Sequence, residues 1–205
     1  MVQLKRTLNL GSWFDSNLSM TDHIKKACNV AFYHLHNLRR IKKYLSRDSL
    51  IILVHAFITS RLDYCNGLLF GLPKAQIAKL QRVQNAAARH ITPALYELHW
   101  LPVSLRIDYK ILLLTFKCIY GLAPTYLSGL ISIKSNSLYN LRSTGRLLLD
   151  HPKGKMLTTL RARSFSAAAP KLWNELPVGL RQATSLNSFK SRLKTYLFKK
   201  YFHSL

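Results

Sequence analysis

Apolar side chains return every three to four residues over most of this chain, and that period commits it to helices. Ile24, Ala27, Cys28, Ala31, Leu35, Leu38 and Ile41 fall on one helical stripe, with Ser19 or Thr21 placed to cap its start and Asp22 at its positive end. A second helix is expected from a Ser46 cap, through Asp48 to about Tyr64, closing near Gly67. Leu50, Ile51, Leu53, Val54, Ala56, Phe57 and Ile58 make it apolar nearly all round, which predicts a central place in the core. Pro73 opens a third helix, with Ile77, Leu80, Val83, Gln84 and Ala87 on one face, and Pro93 breaks it. A fourth runs from Val103, behind Pro102, to Tyr120, where Gly121 and Pro124 stop it. Thr184 or Ser185 caps a last helix whose Leu186, Phe189, Leu193, Tyr196 and Leu197 share a face.

Strand signals are few. Leu8-Asn9-Leu10 reads as extended up to Gly11, and Leu147–Leu149 reads as a strand. Leu157–Leu160 and Ser164–Ala167 fit either a strand or a short helix. Ser132–Thr144 is polar and serine-rich, and His151-Pro152-Lys153-Gly154 is a turn. The expected fold class is mainly α: a helical bundle followed by a small mixed α/β C-terminal region. Its segments are 1–18, short and strand-like; 19–131, helical; and 132–205, basic, with short strands and a terminal helix.

The 205 residues are enough for one domain or two small ones. At that size burial alone can sustain a core, so neither disulfides nor a structural metal are required. The three cysteines, Cys28, Cys65 and Cys118, are too sparse for a disulfide scaffold and lack the spacing of a zinc set; on apolar helices they read as core. The most apolar runs, Leu50–Ile58 and Ile111–Phe116, fall short of a membrane span. The basic Met1–Leu10 leads into a Gly-Ser turn with no apolar signal core, so the expected location is nuclear or cytoplasmic, with no membrane partner.

Charge separates the functional classes. Lys and Arg number 31 against 8 Asp and Glu, a formal +23, so a polyanion is the expected partner and nucleic acid the commonest one. Lys25, Lys26, Arg39, Arg40, Lys42 and Lys43 gather around the first long helix, with Tyr33 and Tyr44 nearby. Arg82 and Arg89 stand off the apolar face of the third. Lys190, Arg192, Lys194, Lys199 and Lys200 crowd the last, beside Tyr196 and Tyr201. Cations bind phosphates with release of counterions, and aromatic rings stack on unpaired bases. The competing reading makes these solvated helix faces and core tyrosines.

Catalytic chemistry is hard to find in the residues. Two-metal nucleotidyl transfer needs acids gathered around ions roughly 4 Å apart. Asp15, Asp22, Asp48, Asp63, Glu97, Asp108, Asp150 and Glu175 are scattered, with no adjacent or alternating pair. Asp22 and Asp48 read as helix-end charges, and Asp63 and Asp108 as ion-pair partners of Arg61 or Arg106. His34 and His36 belong to different helix faces, and His99 beside Trp100 reads equally as a packed or hydrogen-bonded side chain or as a base. No G-x-S-x-G, phosphate-binding glycine loop or H-E-x-x-H is present. No catalytic, cofactor-binding or metal-ligating residue is therefore expected, and the chain by itself is not expected to be an enzyme.

Longer phrases carry a resemblance. Leu10-Gly11, Asp15-Ser16-Asn17-Leu18-Ser19 and His23-Ile24 are followed by Ala31-Phe32-Tyr33-His34-Leu35. Then come the run from Val54 to Asn66 (VHAFITSRLDYCN), the run from Leu80 to Arg89 (LQRVQNAAAR) and Leu98-His99-Trp100-Leu101-Pro102-Val103. The run from Ala168 to Pro177 (AAPKLWNELP) and Phe189-Lys190-Ser191-Arg192-Leu193-Lys194 close the series. In that order they resemble the C-terminal part of the reverse transcriptase of LINE-like non-LTR retrotransposons, of the jockey and chicken-repeat kind, over nearly the whole chain.

The resemblance implies that residues 1–18 are the tail of the catalytic palm, that 19–131 form a thumb-like domain gripping template and primer, and that 132–205 contact the element's RNA or target DNA. RNA, RNA–DNA hybrid or DNA is then the partner, with the palm and fingers of the polymerase as a further one. The palm's Y/F-x-D-D hairpin is absent from these residues, so magnesium would belong to the palm and the family's RNA-directed DNA polymerase activity maps to no residue here. Arg89 also runs straight into His90-Ile91-Thr92-Pro93, where family members carry a further, often basic stretch, so this chain looks deleted there. The expected function is nucleic-acid binding without catalysis. The alternatives are a part of an active polymerase completed by upstream sequence, or a basic structural or assembly protein.

Overall fold

The computed structural model describes residues 6–91, 99–134, 147–152 and 159–202. Pro93, Glu97, the core of the serine-rich stretch and the Lys153-Gly154 half of the turn lie outside the described residues. The fold is mainly α, as the apolar period dictates. It divides into two compact units, Met1–Ile107 and Asp108–Leu205, whereas composition changes near residue 132.

The first unit opens with a hairpin of β1 (Arg6–Asn9) and β2 (Ser12–Asp15), with Leu8 opposite Trp13 and Asn9 opposite Ser12. The turn residues Leu10 and Gly11 lie at φ +44° and +79°, the left-handed pair a two-residue hairpin needs. Glycine takes that conformation freely, and a hydrogen bond from the Tyr64 hydroxyl to the Leu10 carbonyl ties the turn down.

The start of α1 (Thr21–Ile41) corrects one expectation, because the organising group is Asp15. Its carboxylate accepts from the amides of Ser19 at 2.9 Å, Met20 at 3.1 Å and Asn17 at 3.1 Å, and from the Ser19 hydroxyl at 2.8 Å. These bonds, the Ser19 amide foremost, hold the Asp15 carboxyl below the usual carboxylate range. Ser19 contributes by accepting the Thr21 amide at 3.3 Å, while Met20, at φ +58°, occupies the cap position itself. Ile24, Cys28, Ala31, Leu35 and Leu38 are buried along α1, as their spacing requires.

The second helical stretch is α2 (Arg47–Val54), a π-helical turn (His55–Thr59) and α3 (Ser60–Asp63). Ser46 caps it by accepting the Ser49 amide at 3.1 Å. Leu50, Val54, Ile58 and Leu62 are buried, four residues apart each time. An α-helix drifts about 40° per such step, and the wider π turn absorbs the drift. Apart from Thr59, the buried side chains of this stretch follow that one line. Ile52 is 65% exposed and Phe57 40% exposed, against the expectation of a helix enclosed all round.

Pro73 opens α4 (Lys74–Ile91), its carbonyl accepting from the Gln76 and Ile77 amides. This helix packs alongside α1 in the same direction: Gln76 Nε2 donates to Thr21 Oγ1 at 3.0 Å near both starts, and His90 lies by Arg39 and Lys42 near both ends. The next helix, α5 (Val103–Ile119), is seated by α4. Gln81 Oε1 accepts the Val103 amide at 2.8 Å, and buried Gln84 donates to the Leu101 carbonyl at 2.9 Å. Arg106 donates to that same carbonyl at 2.9 Å and reaches Asp63 at 2.7 Å.

In the second unit Gly121, at φ +67°, ends α5, and the Leu122 amide returns to the Lys117 carbonyl at 2.8 Å. The short α6 (Thr125–Ser128) and α7 (Thr159–Ala162) precede α8 (Phe165–Asn174), α9 (Val178–Arg181) and α10 (Leu186–Phe202). Ser185 is the α10 cap, accepting the Ser188 amide at 3.2 Å. Phe116 stacks on Phe189 at 4.4 Å between ring centres, with Trp173 beside Phe189 at 5.8 Å.

The expected Leu147–Leu149 strand is reduced to one antiparallel bridge, Ile133 to Leu149. Ser164–Ala167 resolves as the entry to α8, and Thr159 and Leu160 as part of α7. Asn174 holds the bridge from the other side: its Oδ1 accepts the Leu149 amide and its Nδ2 donates to the Leu149 carbonyl, both at 2.9 Å. Trp173 Nε1 donates to the Leu147 carbonyl at 2.8 Å.

Candidate nucleic-acid interface

Parallel packing of α1 and α4 decides which cations meet. Lys79 and Arg82 lie close enough to the Cys28 thiol to pull its pKa down, although burial, the stronger influence, pushes it up. Near the far ends, Lys42, Arg39 and Arg89 lie close enough to act on the His90 imidazole. The line from Cys28 to Arg39 is about 16 Å of helix, long enough to follow several phosphates of one strand. Sequence adds the other half of the argument: no acid lies between Asp22 and Asp48, and none between Asp63 and Glu97. Beyond its first turn α1 carries no carboxylate, and α4 carries none at all.

Burial, reinforced by Lys42, Arg39 and Arg89, lowers the His90 pKa and keeps the imidazole neutral at pH 7. The same cations offset the negative ends of two helices that finish side by side. That structural service explains why they are tolerated together, and it leaves their outer surfaces to solvent: Arg39, Lys42, Arg82 and Arg89 are all exposed.

The remaining members of the first basic cluster are dispersed. Lys25 and Arg40 are exposed elsewhere on α1. Lys26 turns to the hairpin and sets its ammonium 3.1 Å above the Trp13 ring. Lys43 stands 4.8 Å over the ring of Tyr44. Tyr44 and Tyr33 are 77% and 65% exposed, so neither is a core tyrosine.

On α10, in the second unit, the cations do not form one face. Phe189, Leu193 and Leu197 are buried; helical geometry puts Lys190 and Lys194 on one flank of that stripe and Arg192 and Lys199 on the other. Arg192 runs beside Gly179 of α9, and Lys200 acts on the carboxyl of Asp108. Lys190 is half-buried; Arg192, Lys194, Lys199 and Lys200 are exposed.

The acids are occupied locally. Asp22 and Asp48 stand in the first turns of α1 and α2. Asp63 pairs with Arg106 at 2.7 Å. Asp108 has neither arginine as its charged neighbour: Lys200, Glu175 and Lys171 act on it, and burial, the largest influence, raises its pKa to about 6. A proton held more tightly in the fold means that stability falls as pH rises from about 4 to 6. Asp108→Asn is therefore expected to stabilise the protein at pH 7 by about 1–3 kcal/mol and to flatten that fall. Urea unfolding of both proteins at pH 4 and pH 7 checks it; equal gains at the two pH values refute the burial argument.

Among the described residues no group of three or more His, Cys, Asp or Glu is placed to hold a metal ion. Cys28 and Cys118 are buried, while Cys65 is half-buried beyond α3 in a left-handed conformation at φ +52°, not on a helix. No described helix is long and apolar enough to cross a membrane. Sequence reasoning left Lys79 and the neutral His90 out of the site, because only the pairing of α1 with α4 brings them beside its cations. No family model, curated protein or solved structure matches the chain.

Proposed function

We propose that this chain binds nucleic acid along the α1–α4 ridge, as the thumb and post-thumb part of a LINE-like reverse transcriptase would, and performs no catalysis itself. The observation that carries the reading is the alignment of Arg39, Lys42, Arg82 and Arg89 on two parallel helices whose adjoining lengths contain no acid. Exposed Tyr44 beside Lys43 adds a ring on which an unpaired base can stack. Polymerase chemistry and its magnesium belong, on this reading, to a palm whose motifs these residues do not include.

A salt series tests it. Affinity for single-stranded RNA, RNA–DNA hybrid and duplex DNA is expected to fall with a log–log slope of roughly −3, the value for about four neutralised phosphates. For the same four contacts the slope is expected at about −2.8 on the single strand and about −3.6 on duplex DNA. A slope near zero, or no binding at about 50 mM salt, overturns the proposal.

A further inference from the structure

The flank of α1 away from α4 holds a second feature, which goes beyond the ridge. An open cleft of about 520 Å³ lies between the hairpin, α1 and the stretch after the π turn. Ala27 and Val30 are apolar members of its lining; Trp13 and Tyr64 supply flat rings; Lys26, Arg61 and His23 supply polar nitrogen. Among the described residues no carboxylate lines it. Its size is within the range of small-ligand sites.

Several details show how the cleft is built. The Tyr64 hydroxyl is bound to the Leu10 carbonyl, which fixes the ring against the hairpin turn. A Cβ at Gly11 would meet the Tyr64 ring at 3.5 Å, an ordinary contact, so it is the φ of +79° that favours glycine at this wall of the cleft. Asp63, the acid nearest Arg61 in sequence, is engaged by Arg106, so Arg61 lines the cleft without that carboxylate. Lys26 rests on the indole face, 3.1 Å from the ring centre. The ammonium there marks a surface suited to a flat, electron-poor partner.

We infer that this cleft binds a single nucleoside monophosphate unit, free or as one residue of an unpaired strand, with its base on Trp13 and Tyr64 and its phosphate on Lys26 and Arg61. The base takes the place of the ammonium on the indole, and Lys26 swings to the phosphate. Apolar lining and stacked rings select a base; two cations without a carboxylate select its anionic group. An inorganic anion satisfies only the second half of the site, and an uncharged nucleoside only the first.

The protein carries its own reporter. Trp100 and Trp173 are buried, so stacking of a base alters the fluorescence of Trp13. Titrating the whole chain with AMP is expected to quench that fluorescence saturably, with adenosine and inorganic phosphate each at least about tenfold weaker. Lys26→Gln with Arg61→Gln, both exposed positions, is expected to weaken AMP about tenfold or more while the fold stays intact by circular dichroism. A phosphorylated trinucleotide binding more tightly than AMP identifies an unpaired strand as the source, and equal binding identifies the free nucleotide. The ridge variant with Arg39, Lys42, Arg82 and Arg89 changed to Gln is expected to keep the AMP quench. No saturable quench, adenosine equal to AMP, or an unchanged response in the Lys26/Arg61 variant overturns the inference. These results leave the ridge reading standing or falling on its own salt series.

Discussion

Changing Arg39, Lys42, Arg82 and Arg89 together to glutamine is expected to cost about a hundredfold in affinity for a short oligouridylate at about 50 mM salt, and to flatten the salt slope by roughly 3. Two of these residues come from α1 and its continuation and two from α4, and parallel packing puts them along one line. The matched change on α10, with Lys190, Arg192, Lys194 and Lys199 made glutamine, removes the same charge. Its cations flank a buried stripe on both sides, so the loss is expected to stay under about tenfold. Fluorescence anisotropy with both variants decides between them. An equal or larger loss from the α10 variant refutes the ridge as the interface.

Trp173→Ala is expected to destabilise the protein by about 3–5 kcal/mol, the largest effect of any single change proposed for this chain. Trp173 is fully buried, its ring lies beside Phe189, and its indole nitrogen holds the Leu147 carbonyl at 2.8 Å. Truncation leaves a large cavity and an unpaired carbonyl together. Trp173→Phe separates the two contributions. It keeps most of the volume and loses the hydrogen bond, so a smaller loss of about 1–2 kcal/mol is expected. Urea unfolding followed by circular dichroism provides the comparison. A cost under about 1 kcal/mol for the alanine variant contradicts the packing described.

Much of this architecture was legible because its signals are local. Helix α1 follows from its apolar stripe, and Ser46, Pro73, Pro102, Gly121 and Ser185 mark helix ends where the backbone needs them. What escaped was tertiary. The α1 entry is governed by Asp15, which sits in the preceding strand and acts through loop amides. The buried line of α2 and α3 has a four-residue spacing that only a π turn makes straight, so composition alone suggested a helix enclosed on every side. Leu147–Leu149 carried the composition of a strand but found one bridge and a side chain as partners.

The candidate sites follow the same rule. Each ridge cation was visible in the sequence, yet the line they form depends on α1 and α4 running side by side in one direction. Trp13 and Tyr64 meet across fifty-one residues with no motif to announce them. Many residues that carry the family resemblance turn out to hold the chain together. Gln81 and Gln84 seat α5, Asp63 anchors Arg106, and Trp173 and Asn174 fasten the segment around Leu149. A sequence phrase that specific is explained here by folding before any function is invoked.

The Asn174 amide also bears on how this chain behaves among its own copies. Leu147, at φ +38°, turns the chain into the bridge, and the leucines that follow it, 148 and 149, would present a sticky edge to any passing strand. One side of that edge is taken by the Ser132–Lys134 segment, through the Lys134 amide to Leu148 and the Asp150 amide to Ser132, both at 2.9 Å. The other side is closed by a single side chain that imitates a peptide group. At Leu149 both hydrogen-bonding directions are therefore filled, and self-templated pairing has no opening there while Asn174 remains an amide. Aspartate in its place would set a carboxylate oxygen against the Leu149 carbonyl and reopen the edge to intermolecular β-assembly.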